Sequence, residues 1–248
     1  MPRTILITGA TSGIGKALAV EMAGRGYALG LAARRREVLE QVREDIRKRH
    51  PKLTVVIQPV DVTDCDAVPG AIRAIDENLG GVDIVFVNAG VGLGEKVGNG
   101  QFEKSKTTLL TNLLGAAATI DAAAALFIKR GSGHIVGVSS VAAFRGMPRS
   151  AAYSASKAGL AVYLEALRAE LYGKNIDITV LYPGYIDTPL NNMLPSRPFL
   201  ISVEKGASII ADLIEKKVKR STVPVFPWNF IGVLLKLLPT GLIAKLAG

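Results

Sequence analysis

Short apolar runs rich in β-branched residues alternate along the chain with longer stretches of helical periodicity. TILIT at 4–8 leads into a helical pattern over about 14–25, and ALGLAA at 28–33 into a charged helix that runs to His50. TVVIQPV at 54–60 is followed by a helix over 67–79. DIVFV at 83–87, IVGV at 135–138 and ITVL at 178–181 read as further strands. These runs are continuously apolar, so both of their faces are buried, which is the mark of a parallel sheet covered by helices. Two helices rich in small residues, over 109–128 and 151–172, are expected to pack closely on it. The pattern predicts an α/β fold: a single Rossmann-type doubly wound parallel sheet with helices on both faces. One domain over 1–226 and an apolar tail over 227–248 are expected.

Composition narrows the function classes. A chain of 248 residues supports one sizeable domain and is short for two. Cys65 is the single cysteine, so no internal disulfide forms. His50 and His134 are the two histidines, and neither belongs to a cluster; both read as structural, and no metal site is expected. No apolar signal-like stretch opens the sequence, which makes the cytoplasm the expected address. The net charge of +9 invites a nucleic-acid reading. Much of it lies in RRREVLEQVREDIRKRHPK at 34–52, where acids interleave at helical spacing, so that stretch reads as a solvated helix face. No aromatic-basic platform accompanies it, and no specific nucleic-acid partner is expected.

Two stretches carry candidate chemistry. The first strand empties into Gly9, Ala10, Thr11, Ser12, Gly13, Ile14 and Gly15. Glycines at a strand-to-helix turn admit a diphosphate to the helix N-terminus, and at the first βα junction of such a sheet this points to cofactor binding. Taken alone, the same glycines also fit a purely structural turn. In AAYSASKAG, Tyr153 and Lys157 stand four apart and share one helix face. Two readings are open there. One is a solvated helix face. The other is a cation ~4 Å from a phenol, worth on the order of 4 kcal/mol and able to lower its pKa toward neutrality.

TGATSGIG (8–15), VNAG (87–90), VSS (138–140), YSASK (153–157) and PGYIDT (183–188) occur in an order that resembles the short-chain dehydrogenase/reductase family, over about residues 3–226. Val87 departs from it, standing where many members carry a second asparagine; a packing change with no lost chemistry is expected. The resemblance implies Tyr153 as acid-base and Lys157 as the group that tunes it and binds the nicotinamide ribose. Ser140 would orient substrate, with its neighbour Ser139 a weaker candidate, and Asn112 would link the lysine to solvent; a compatible reading of Asn112 is an asparagine that bonds the backbone at a helix distortion. Asp61 and Val62 resemble the adenine contact, and Asn88, Ala89 and Gly90 the lining of the cofactor cleft. Pro183, Gly184, Ile186 and Thr188 resemble the segment that holds the carboxamide end, followed by a mobile substrate lid over about 186–203.

These assignments imply an NAD(P)-dependent alcohol dehydrogenase or carbonyl reductase acting on a lipophilic or small carbonyl. The second strand ends in Ala33, Arg34 and Arg35 with no carboxylate, so NADP(H) is expected over NAD(H), with Arg34 on the 2′-phosphate. Family likeness favours a homodimer or homotetramer. The alternative is a non-catalytic NADP-binding regulator on the same fold.

The tail, PWNFIGVLLKLLPTGLIAKLAG, is too apolar to stand in water, and Pro239 divides it into two short helices. Ile231, Leu234, Leu235 and Leu238 form one stripe; Leu242, Ile243 and Leu246 form a second. One reading buries the tail against a partner subunit or the substrate cleft. The other is a peripheral membrane contact, with Trp228, Lys236 and Lys245 at headgroup level.

Overall fold

A computed structural model describes residues 3–194 and 196–246; the side chains of Lys245 and Leu246, named above in the tail, lie outside the described residues. β1 (Thr4–Thr8), β2 (Ala28–Ala33) and β3 (Val55–Pro59) alternate with α1 (Gly13–Gly24) and α2 (Arg36–Arg49). α3 (Ala67–Leu79), β4 (Ile84–Val87) and α4 (Phe102–Leu109) follow. The next helix is interrupted: a π-helical turn at Leu110–Leu114 joins α4 to α5 (Gly115–Arg130). β5 (Gly133–Val138), α6 (Ala151–Glu170) and β6 (Ile176–Pro183) complete the predicted series. α7 (Val203–Glu215) and the edge strand β7 (Arg220–Val223) were not foreseen; the tail forms α8 (Trp228–Leu237) and α9 (Thr240–Leu246), divided at Pro239 as expected.

All seven strands are parallel, in the order β3-β2-β1-β4-β5-β6-β7. The order reverses direction between β1 and β4, which opens a crevice at the carboxyl ends of those two strands. Burial on both faces explains the unbroken apolar strands. On one face Leu18, Met22, Leu39, Ile46 and Ile210 seal α1, α2 and α7 to the sheet. On the other, Ile72, Ile120, Phe127, Leu160 and Leu164 seal α3, α5 and α6. The run Phe102–Arg130 is apolar and long enough to cross a membrane, yet Ile120, Ala123 and Phe127 are fully buried in this layer.

His50 closes α2, as a structural residue would. His134 is buried in β5, with Nε2 2.9 Å from Thr179 Oγ1. The Thr179 hydroxyl donates its own proton to the Val218 carbonyl, so it accepts from His134 and fixes the Nε2–H tautomer. Burial pushes this imidazole down from 6.5 to about 4. The unfolded chain therefore takes up a proton before the folded one does. Stability is full above 6.5 and drains as pH falls toward 4. His134 should account for a loss of about 2 kcal/mol between pH 7.5 and pH 5 in urea unfolding, and His134→Gln should flatten that limb. A variant with an unchanged slope would contradict the assignment.

Candidate active site

The crevice is a cleft of about 290 Å³. Its walls hold Gly9, Thr11, Ser12, Gly13 and Ile14 from the first turn, Arg34 and Arg35 after β2, Asp61 and Val62 after β3, and Asn88, Ala89 and Gly90 after β4. Thr188 closes it from beyond β6. Gly15 lies behind the first turn, where a Cβ would stand 2.4 Å from the Gly9 carbonyl oxygen. Gly9 adopts φ +70, and a Cβ there would fall 2.9 Å from Ala89 Cα, so only glycine keeps the turn this close to β4. Thr8 staples the two strand ends. Its hydroxyl accepts from the amides of Asn88 (3.0 Å) and Ala89 (3.2 Å), and Asn88 Nδ2 returns a bond of 3.0 Å to the Thr8 carbonyl.

The end of β2 is cationic. Arg34 is mostly exposed and reaches Asp61 at 3.7 Å, while Arg35 donates to Thr11 Oγ1 at 3.2 Å. Burial alone would raise the Asp61 pKa, but bonds from the Thr63 amide and hydroxyl, together with Arg34, hold it below the ordinary carboxylate value.

Opposite lies the first half of α6. Lys157 is buried, and its Nζ donates to the Val138 carbonyl at the end of β5 (2.9 Å). A Cβ on Gly90 would lie 3.4 Å from that Nζ, so the ammonium borders the cleft. Burial lowers the Lys157 pKa from 10.5 to about 8. The expected drop in the Tyr153 pKa is not found: burial raises it, and the nearby Ser140 hydroxyl only partly opposes this. The reason is geometric. Lys157 Nζ sits 5.8 Å from the Tyr153 ring centroid, bonded to a carbonyl.

Ser139 and Ser140 separate cleanly. Ser139 Oγ donates to the Lys157 carbonyl at 2.8 Å, which commits its proton to structure. Ser140 Oγ accepts from Ala142 N at 3.1 Å and caps a short 3₁₀ turn, and the same hydroxyl is hydrogen-bonded to the Tyr153 side chain. Asn112 sits in the π-helical turn, fully buried. Oδ1 accepts from Val91 N and Nδ2 donates to Val91 O, both at 2.8 Å, with a further 3.3 Å bond to Ser156 Oγ. Ser156 Oγ in turn donates to the Tyr153 carbonyl. Asn112 thereby ties the loop after β4 to the turn that carries Tyr153.

Not every expected residue lies on the cleft. Pro183, Gly184 and Ile186 pack behind it: Ile186 is buried, and a Cβ on Gly184 would meet the Trp228 indole at 2.1 Å. Val60 and Val91 line the cleft and were missed, while Pro189 and Leu190, also on it, fall within the expected lid without having been singled out. Val91 directly follows the asparagine-alanine-glycine triplet, a usable signal; Leu190 lies in an aperiodic stretch that offers none.

A family model described as short chain dehydrogenase matches residues 3–198. The chain belongs to the short-chain dehydrogenase/reductase family. An uncharacterized oxidoreductase of Mycobacterium tuberculosis is 38% identical to this family member over 244 residues, spanning 98% of this chain and 96% of that one. Two solved structures share its fold. An alcohol dehydrogenase from the archaeon Thermococcus sibiricus, complexed with 5-hydroxy-NADP, has a TM-score of 0.81 at 25% identity and covers 90% of this chain and 96% of its own. A short chain dehydrogenase/reductase from Burkholderia phymatum in complex with NAD has a TM-score of 0.84 at 23% identity and covers 94% and 92%. The chain is thus an oxidoreductase of this family. The fold alone does not choose between the two dinucleotides.

Replacing Asn112 with alanine removes the partners of the part-buried Val91 amide and carbonyl and leaves a hole at a fully buried position. A loss of about 2–4 kcal/mol in urea unfolding is expected. A loss under about 0.5 kcal/mol would mean that Val91 is not held this way.

Proposed function

We propose that the protein interconverts a carbonyl and an alcohol with NADP(H), on a small or lipophilic substrate, through Tyr153, Ser140, Lys157 and Asn112. The observation that carries this reading is the convergence of a protonated phenol, the Ser140 hydroxyl bonded to it and a buried ammonium beside a glycine-walled cleft. The residues present fit a dinucleotide: side chains at Gly9 or Gly13 would fill the cradle where its diphosphate would lie, a Cβ on Gly13 coming 3.3 Å from Thr188. Bound there, the nicotinamide supplies the hydride.

The chain's own part is orientation and proton delivery. Ser140 and Tyr153 hydroxyls hold the carbonyl oxygen, and Tyr153 gives up its proton as negative charge develops on that oxygen. A phenol raised by burial stays protonated through the neutral range, the form that reduction requires. Lys157, with a pKa of about 8, carries its charge at neutral pH and lends it to the ribose side of the cleft. Asn112 holds the loop that floors the site. The stretch over 186–203 serves as the lid.

Arg34 decides the dinucleotide. A 2′-phosphate would displace the loose Asp61 contact with a charge-assisted bond, while Arg35 guards the Thr11 side.

Tyr153→Phe keeps the ring beside Gly92 but removes the proton. Turnover on an aldehyde and ketone panel should fall by about 10²- to 10⁴-fold, with NADPH affinity nearly unchanged. Near-normal turnover would sink the mechanism. Steady-state kinetics should separately favour NADPH over NADH by about 10- to 150-fold, and Arg34→Ala should erase most of that ratio. Equal kcat/KM for the two dinucleotides in the wild type would contradict the role of Arg34.

A further inference from the structure

α8 is apolar on every side. Of its ten residues, WNFIGVLLKL, only Asn229 and Lys236 are polar. A helix of that kind is ordinarily enclosed. Here the inner side is: Trp228 is 4% exposed, and Gly232 packs so closely on Phe144 that a Cβ would lie 2.5 Å from its ring. Trp228 is therefore a core residue, not the headgroup-level residue of the membrane reading. Leu234, in the first of the two expected stripes, is 45% exposed. The outward stripe is Phe226, Phe230, Val233 and Leu237, at 79%, 69%, 61% and 76% exposure. Spacings of four, three and four place them along one side of the helix and its entry.

The stripe does not end at α8. Trp228 meets Phe199 edge-on at 5.9 Å and Tyr185 at 5.7 Å, so the stretch beyond β6 that borders the cleft is continuous with the tail. That stretch exposes Met193 by 90% and Phe199 by 55%.

The rim is cationic. Arg145, Arg149 and Lys236 stand in the neighbouring segments, while Arg197 is paired with Asp187. Lys236 stands 5.3 Å from the Phe144 ring centroid, and Arg145 donates to Thr240 Oγ1 at the start of α9. A two-fold pairing of copies through this patch would set Lys236 and Arg145 against their own copies. Anionic headgroups complement it instead.

We propose that this surface docks on an anionic lipid bilayer, with Phe226, Phe230, Val233 and Leu237 seated at the boundary of headgroups and acyl chains. Docking itself does not rest on the catalytic reading, and its test does not use turnover.

The test is co-sedimentation of the full chain with vesicles of phosphatidylcholine containing phosphatidylglycerol, and with vesicles of phosphatidylcholine alone. The anionic vesicles should capture the protein at least about tenfold better, with capture weakened by high salt. Phe230→Glu combined with Val233→Glu should reduce capture by at least about tenfold, the effect of keeping a large apolar side chain out of the bilayer. NADPH binding and thermal midpoint should stay unchanged, because both positions are exposed. Lys236→Glu, a single charge change, should weaken capture without touching the apolar stripe. Failure of anionic vesicles to capture the wild-type protein overturns the proposal, whatever the variants do. So does undiminished capture of the double variant. A double variant that is captured normally but falls to a smaller oligomer would assign the stripe to a second copy.

Discussion

One buried cation organises the working end of this sheet. Lys157 grips the end of β5 twice: its Nζ donates to the Val138 carbonyl, and its own carbonyl accepts from Ser139 Oγ. Placing an ammonium where water is scarce is costly, and burial lowers its pKa to about 8. The arrangement fixes the first turns of α6 against the strand that ends at Ser140. Tyr153, one helical turn earlier, is held toward the same hydroxyl. Asn112 completes the frame from the other side, through Val91 and Ser156.

The opposite wall depends on a different constraint, the lack of side chains. Gly9 lets the first turn approach β4, and Gly15 lets α1 start directly behind it. Thr8 and Asn88 then hold the two strand ends at the place where the sheet reverses its order. Behind β6, Gly184 makes room for Trp228, which joins the tail to the segment bordering the cleft. In all these places a missing Cβ permits a contact that any other residue would block.

Much of this was legible in the sequence because its causes are local. Unbroken apolar strands between helical patterns specified a doubly wound sheet, and the glycine turn after TILIT marked the crevice. Pro239 announced the break between α8 and α9. β7 escaped notice because RSTV is short and half-polar, as befits an edge strand. α7 escaped because it follows an aperiodic stretch, although Ser202 caps it through a bond from Lys205 N. Tyr153 and Lys157 were rightly placed on one face, but spacing cannot say where a four-carbon side chain ends. The ammonium chose a carbonyl on another element, and the phenol's pKa moved up where it was expected to fall. The burial of Trp228 could not be read locally either: its pocket is made by a glycine 44 positions away.

The central claim is that Lys157 is a buried, carbonyl-bonded cation whose charge is lost just above neutrality. NMR titration of the lysine Nζ groups in the dinucleotide-free protein, with Lys157 assigned by the signal that disappears in Lys157→Met, measures this directly. A Lys157 midpoint of about 8, with the bulk of the exposed lysines near ~10.4, is the predicted result. A Lys157 midpoint among the exposed lysines would contradict the burial on which the site is built.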